Sequence, residues 1–137
     1  VVSSSLNIVN DRKNSTLHAE MVAIQEAMAK IGDKHLRGLV LLTTCEPCIM
    51  CAGAAVRAEV DGVVYGAYQD DMRDKHMLVD GKYKLFGAEP EGYNAAEILT
   101  ARRPKMVVFG GLKHEEVKRR MSRISSGYTA YYADPDK

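Results

Sequence analysis

Apolar positions in this chain follow two periods. Met21, Ile24, Met28 and Ile31 recur at spacings of three and four with Ala between them, and Gly32 stands where a helix would stop. That spacing predicts an amphipathic helix over 18–31, with Ser15 or Thr16 available to cap its start. The unbroken apolar run over 39–44 predicts a strand buried on both faces. Pro47 suits the first turn of a helix reaching about residue 59 through Cys51, Ala54, Ala55 and Val56. A second buried strand is predicted over 63–66 after the Asp61-Gly62 turn, a last strand over 106–109, and a last helix over 114–124. Residues 1–6 are β-compatible and 7–14 read as a polar loop. Residues 69–97 hold seven acidic and four basic side chains, with Gly81, Gly87 and Gly92, and read as loop with some helix. Strands alternating with helices over one short chain predict an α/β sandwich with a mixed sheet.

Composition narrows the class of protein. The 137 residues allow one globular domain, and 46% hydrophobic with 27% charged residues lies inside the globular range. Lys and Arg number 19 against 18 Asp and Glu, which excludes a uniformly basic nucleic-acid coat and an acidic solvating tail. No apolar run approaches the roughly 18 residues of a membrane span, and the start lacks signal-peptide regions, so a soluble, cytoplasmic protein is expected. The three cysteines, Cys45, Cys48 and Cys51, are odd in number and too closely spaced for a disulfide framework. They are thiols for metal or for chemistry.

Two clusters carry that chemistry: His18-Ala19-Glu20 at the start of one predicted helix and Pro47-Cys48-Ile49-Met50-Cys51 at the start of another. Cysteines three apart share one face of a first helical turn, where the helix dipole favours thiolates. One imidazole and two thiolates make a three-ligand zinc site whose fourth position stays open, the arrangement of catalytic rather than structural zinc. Bound zinc brings the pKa of water down to about 7. Glu20 is then the natural proton shuttle. Residues two apart point about 200° apart around a helix, so His18 and Glu20 meet only at a site off the helix's N-terminal end. Two other readings stay open: a redox Cys-x-x-Cys, and a closed structural site in which Cys45 joins the other three.

His-x-Glu followed by Pro-Cys-x-x-Cys resembles the zinc signature of the cytidine deaminase superfamily. The stretch Thr43-Thr44-Cys45-Glu46-Pro47-Cys48-Ile49-Met50-Cys51-Ala52-Gly53-Ala54 is similar to the branch of tRNA adenosine deaminases, guanine deaminases and fungal-type cytosine deaminase. The likeness runs over about residues 1–68 and resumes faintly over 106–116. It implies a three-layer α-β-α fold with a mixed central sheet, zinc on His18, Cys48 and Cys51, proton transfer by Glu20, and Asn7 holding the edge of a base through its carboxamide. It implies hydrolytic deamination of an amino-substituted nucleobase or nucleoside, and a homodimer formed through the helices beside the zinc. Family members place a helix and a first strand ahead of residue 1, so both are expected to be missing here, with one sheet edge bare.

The substrate divides into two expectations. Free guanine-, cytosine- or adenine-like bases or nucleosides lead, because the acidic run 69–76 would repel a phosphate backbone and the pI near 7.9 is below that of a dedicated nucleic-acid domain. A tRNA wobble adenosine is the alternative, favoured by Cys51-Ala52-Gly53-Ala54. Eight Lys or Arg between 102 and 123, against two Glu, could serve RNA phosphates or only a solvated helix face. His35, His76 and His114 lack ligand spacing. The zinc domain is expected over 1–124 and an aromatic tail over 125–137, where Tyr128, Tyr131 and Tyr132 would act as a lid or a subunit contact. A non-catalytic deaminase-like binding module is the remaining alternative.

Overall fold

In the computed structural model, residues 1–73, 78–79, 83–84 and 89–121 are described, without the side chains of 72, 73, 78, 79, 83 and 84. The expected end of the last helix and the tyrosine tail lie outside these residues. The helical spacing near the start forms α2 (Ala19–Ile31), which buries Ile24 and Ala27. It stops at Gly32, whose φ of 75° turns its N–H back to the Met28 carbonyl, a conformation that side chains with a Cβ adopt at a cost. His18, and not Ser15 or Thr16, is its N-cap. Thr16 instead gives its hydroxyl to Asn14.

The remaining elements follow as β1 (Val40–Cys45), α3 (Ile49–Ala58), β2 (Gly62–Ala67), a 3₁₀ turn (Gln69–Arg73), β3 (Leu78–Val79), β4 (Tyr83–Lys84), α4 (Ala95–Arg102), β5 (Val107–Phe109) and α5 over 114–121. A one-turn helix, α1 (Val9–Arg12), sits within the expected loop. The sheet order is β1-β2-β5, all parallel, and β3 and β4 form a separate antiparallel pair, so the two strand directions occupy two sheets. Parallel neighbours require crossovers, and α3 supplies the first of them.

Residues 1–6 were expected as a strand but have no regular structure. They run along α2, because their polar atoms find partners there: Ser3 Oγ donates to the Ala23 carbonyl at 2.8 Å, and Lys30 Nζ to the Val2 carbonyl at 2.9 Å. β1 is therefore an edge strand of the described sheet. Pro47 lies one residue before the N-cap Cys48 and not inside the first turn of α3.

Register decides which side chains are covered. Leu41, Val63, Tyr65 and Val108 share one face, packed by α2, α3 and α4 into a core containing Ala52, Ala55, Ala58 and Leu99. Val40, Leu42, Val107 and Phe109 share the other, and are 60, 68, 65 and 54% exposed, so β1 is not buried on both faces as its apolar run predicts. α5 meets that second face at its carboxyl end, where a Cβ on Gly66 would lie 2.6 Å from Val117 Cγ2. Helices thus lie on both sides of the sheet. All three strands deliver their carboxyl ends to one rim, the usual place for a site in an open α/β sheet.

Candidate active site

At that rim the two predicted clusters meet through their helix starts. His18 is the N-cap of α2 and Cys48 the N-cap of α3, both with extended backbones. The two meet with Cys51 from the first turn of α3. His18 Nδ1 lies 3.6 Å from Cys48 Sγ and 3.7 Å from Cys51 Sγ. The three ligand atoms all fall within 4.8 Å of one another. Zinc bonds of about 2.3 Å to sulfur and 2.05 Å to nitrogen at tetrahedral angles require an N···S separation of about 3.6 Å. The donor set and its two N···S separations therefore fit zinc. Both helix starts also place their positive dipole ends toward the thiols.

The thiols differ in electrostatics. The Cys51 thiol donates to Cys48 and, with backbone N–H groups of Cys51 and Met50 and the nearby His18, pulls Cys48 down to about 6 against the burial that raises it. Cys51 is pushed up, because it is that donor, is buried, and faces Glu20.

Glu20, at the second helical position of α2, reaches the same point. Cys51 Sγ lies 3.7 Å from Glu20 Oε2, and Thr43 Oγ1 donates to Glu20 Oε1 at 2.6 Å. The site thus sits off the N-terminal end of α2, as the 200° separation of His18 and Glu20 demands. Thr43 had no signal in the sequence, since its contact with Glu20 spans 23 residues and two elements.

The other candidates have contacts of their own. Cys45 lies 3.1 Å from Met121 Sδ beside Ala67, and burial raises its thiol to about 11, so it is a packed side chain outside the ligand group and the closed four-ligand site does not form. Asn7 is exposed and accepts the Val9 N–H on Oδ1 at 3.1 Å, which leaves its Nδ2 out of that local turn. His35 pairs with Glu59 and Asp33. His114 Nε2 lies 2.6 Å from Asp71 Oδ2, and Lys118 is 3.4 Å from Asp71 Oδ1. Although burial raises Asp71, the Tyr68 N–H, His114 and Lys118 outweigh it and hold the carboxyl below its ordinary value.

Residues 1–67 match the family model of the cytidine and deoxycytidylate deaminase zinc-binding region. Over those residues the chain belongs to the cytidine deaminase superfamily. It is 33% identical over 130 residues to the chloroplastic tRNA(adenine(34)) deaminase of Arabidopsis thaliana, covering 90% of this chain and 10% of that protein. It is 42% identical over 67 residues to the tRNA-specific adenosine deaminase of Aquifex aeolicus, covering 49% of this chain and 44% of that one. The chain therefore spans less than half the length of these relatives. Among solved structures, guanine deaminase from Nitrosomonas europaea superposes with a TM-score of 0.68 at 27% identity, over 92% of this chain and 64% of that one.

Proposed function

We propose that the chain is a zinc-dependent hydrolase that removes the exocyclic amino group of a purine as ammonia. The observation that carries this reading is the meeting of His18, Cys48 and Cys51 with the Glu20 carboxylate at one point. When bound, zinc makes water a nucleophile at neutral pH. With zinc held by His18, Cys48 and Cys51 supplying the activated water, Glu20, held by Thr43, would move two protons in turn: the first from that water to the ring nitrogen, the second from the same oxygen, once bonded to the ring carbon, to the amino group that leaves as ammonia. The start of α2 and the start of α3 wall the pocket. Asn7, on the segment leading into α2, is proposed to read the base edge with its carboxamide, one face offering an acceptor and the other a donor.

For the substrate, the relatives named for tRNA adenosine and the structure named for guanine both concern purines, which favours a purine over a cytosine-like ring. Adenosine in a tRNA anticodon loop is the first reading, because the likeness over the site-bearing half is to tRNA-specific adenosine deaminases. Phosphate repulsion by the 69–76 run weighed against it, yet Asp71 is offset by His114 and Lys118, and α5 brings Arg119 and Arg120 beside them in sequence. Free guanine is the second reading, carried by the superposition on guanine deaminase. A homodimer in the cytoplasm completes the proposal; among the described residues no helix is long and apolar enough to cross a membrane. Zinc-loaded protein incubated with an adenosine-bearing anticodon stem-loop, adenine, guanine and cytosine separates the readings by ammonia release. Release from the stem-loop alone supports the first, release from guanine alone transfers the assignment to the second, and release from none removes the enzyme reading.

A further inference from the structure

The metal-binding turn is held from outside by the part of the chain beyond the family match. Glu46, two residues before Cys48, is only 4% exposed, and both its carboxylate oxygens are taken: Oε2 accepts the Gln69 N–H at 2.9 Å and Oε1 the Ala95 N–H at 2.8 Å. Its own carbonyl accepts from Gln69 Nε2 at 2.7 Å, and its N–H donates to the Ala67 carbonyl at 2.7 Å. Next along the chain, Tyr93 Oη donates to the Pro47 carbonyl at 2.7 Å, and past Cys48 the Ile49 N–H donates to Glu89 Oε1, also at 2.7 Å. Residues 46, 47 and 49 are thus each tied to the 67–95 segment, and Cys48 lies between the ties.

Glu46 does a second task at the same time. Ala95 is the first residue of α4, whose N-cap Asn94 takes the Ala96 N–H, so Glu46 satisfies a helix-start donor that would otherwise be buried without a partner. A buried carboxylate receiving two backbone N–H groups is fixed in place, since breaking either bond strands a polar group in the interior. The geometry points to Glu46 as the positioning residue of the metal site: it docks the turn carrying Cys48 onto the 3₁₀ turn and α4, and so sets the thiols at the separation from His18 that zinc requires. This rests on the metal reading of His18, Cys48 and Cys51, and not on which purine is the substrate.

The test compares metal retention in Glu46→Gln and Tyr93→Phe with the parent. The first sets an amide NH₂ against one of two N–H donors; the second keeps the ring and removes only the bond to Pro47. Zinc release to excess chelator is expected about tenfold faster in Glu46→Gln, the lower end of what loss of a partner around a metal site costs. It is expected about threefold faster in Tyr93→Phe, the loss of one neutral hydrogen bond. The cobalt-loaded forms are expected to show shifted thiolate-to-metal absorption, a signature that loss of fold stability alone leaves in place. Should Glu46→Gln fail to fold, Tyr93→Phe decides. Parental release rates and cobalt spectra in the folded variants overturn the proposal, even where their melting temperatures fall. A parent that takes up neither metal overturns the metal reading beneath it.

Discussion

Thr43→Val isolates the hydrogen bond that holds the proposed proton shuttle. Valine keeps the volume, the β-branch and the place of Thr43 opposite Tyr65 in the sheet, and removes only the hydroxyl that lies 2.6 Å from Glu20 Oε1. A hydrogen bond to a charged group contributes about 1.5–3 kcal/mol, because the unpaired carboxylate must find another partner or turn away. At about 1.4 kcal/mol per decade of rate, turnover is expected to fall about ten- to a hundredfold if all of that is lost in the transition state. The assay is ammonia release at saturating substrate, with zinc content measured in parallel. KM and bound zinc are expected to stay at parental values, and Thr43→Ser, which keeps the hydroxyl, to retain most of the activity. A Thr43→Val protein with parental turnover, or one that loses zinc together with activity, refutes the role given to this bond.

His18→Ala and Cys51→Ser each remove a ligand and are expected to abolish zinc uptake in equilibrium dialysis while circular dichroism still shows the helices. Asp71→Asn is expected to lower stability at pH 7 by about 1–2 kcal/mol by breaking the tie to His114 and Lys118. Because the folded state holds the Asp71 carboxyl below its ordinary value, the parent's advantage is present above that value and is lost as pH falls through the folded one, so the melting curves of parent and variant converge in acid. Gly66→Ala places a Cβ 2.6 Å from Val117 Cγ2 and 2.9 Å from the Thr44 carbonyl oxygen, and is expected to cost about 1–3 kcal/mol in a denaturant titration. Gly53→Ala, inside α3 with nothing within 4 Å of the added carbon, is expected to shift the midpoint the other way by about 0.5–1 kcal/mol.

What the sequence reveals depends on how far apart the interacting residues are. Periodicity locates α2, α3, β2 and β5 because each signal lies within one element, and His-x-Glu with Cys-x-x-Cys is legible because each pair shares a helical turn. Thr43 and Glu46 leave no such trace: one reaches a partner 23 residues earlier, the other a partner 49 residues later. α4 is also hard to see, since it buries only Ala95 and Leu99 and shows little contrast between its faces. The apolar run of β1 reports a strand correctly but overstates its cover, because Val40 and Leu42 lie on the face that α5 meets only at its carboxyl end, and both stay exposed. Residues 1–6 are β-compatible, yet their serines bond to α2 and to Glu26 on it, and hydrogen-bond partners outweigh β-propensity there.

The central claim is that Glu20 moves protons at a metal held by three other side chains. Elemental analysis and ammonia release, measured on the same preparation of Glu20→Ala, address it most directly. The arrangement predicts zinc equal to the parent's with turnover reduced at least a hundredfold. Zinc lost along with Glu20, or turnover left unchanged, would contradict it.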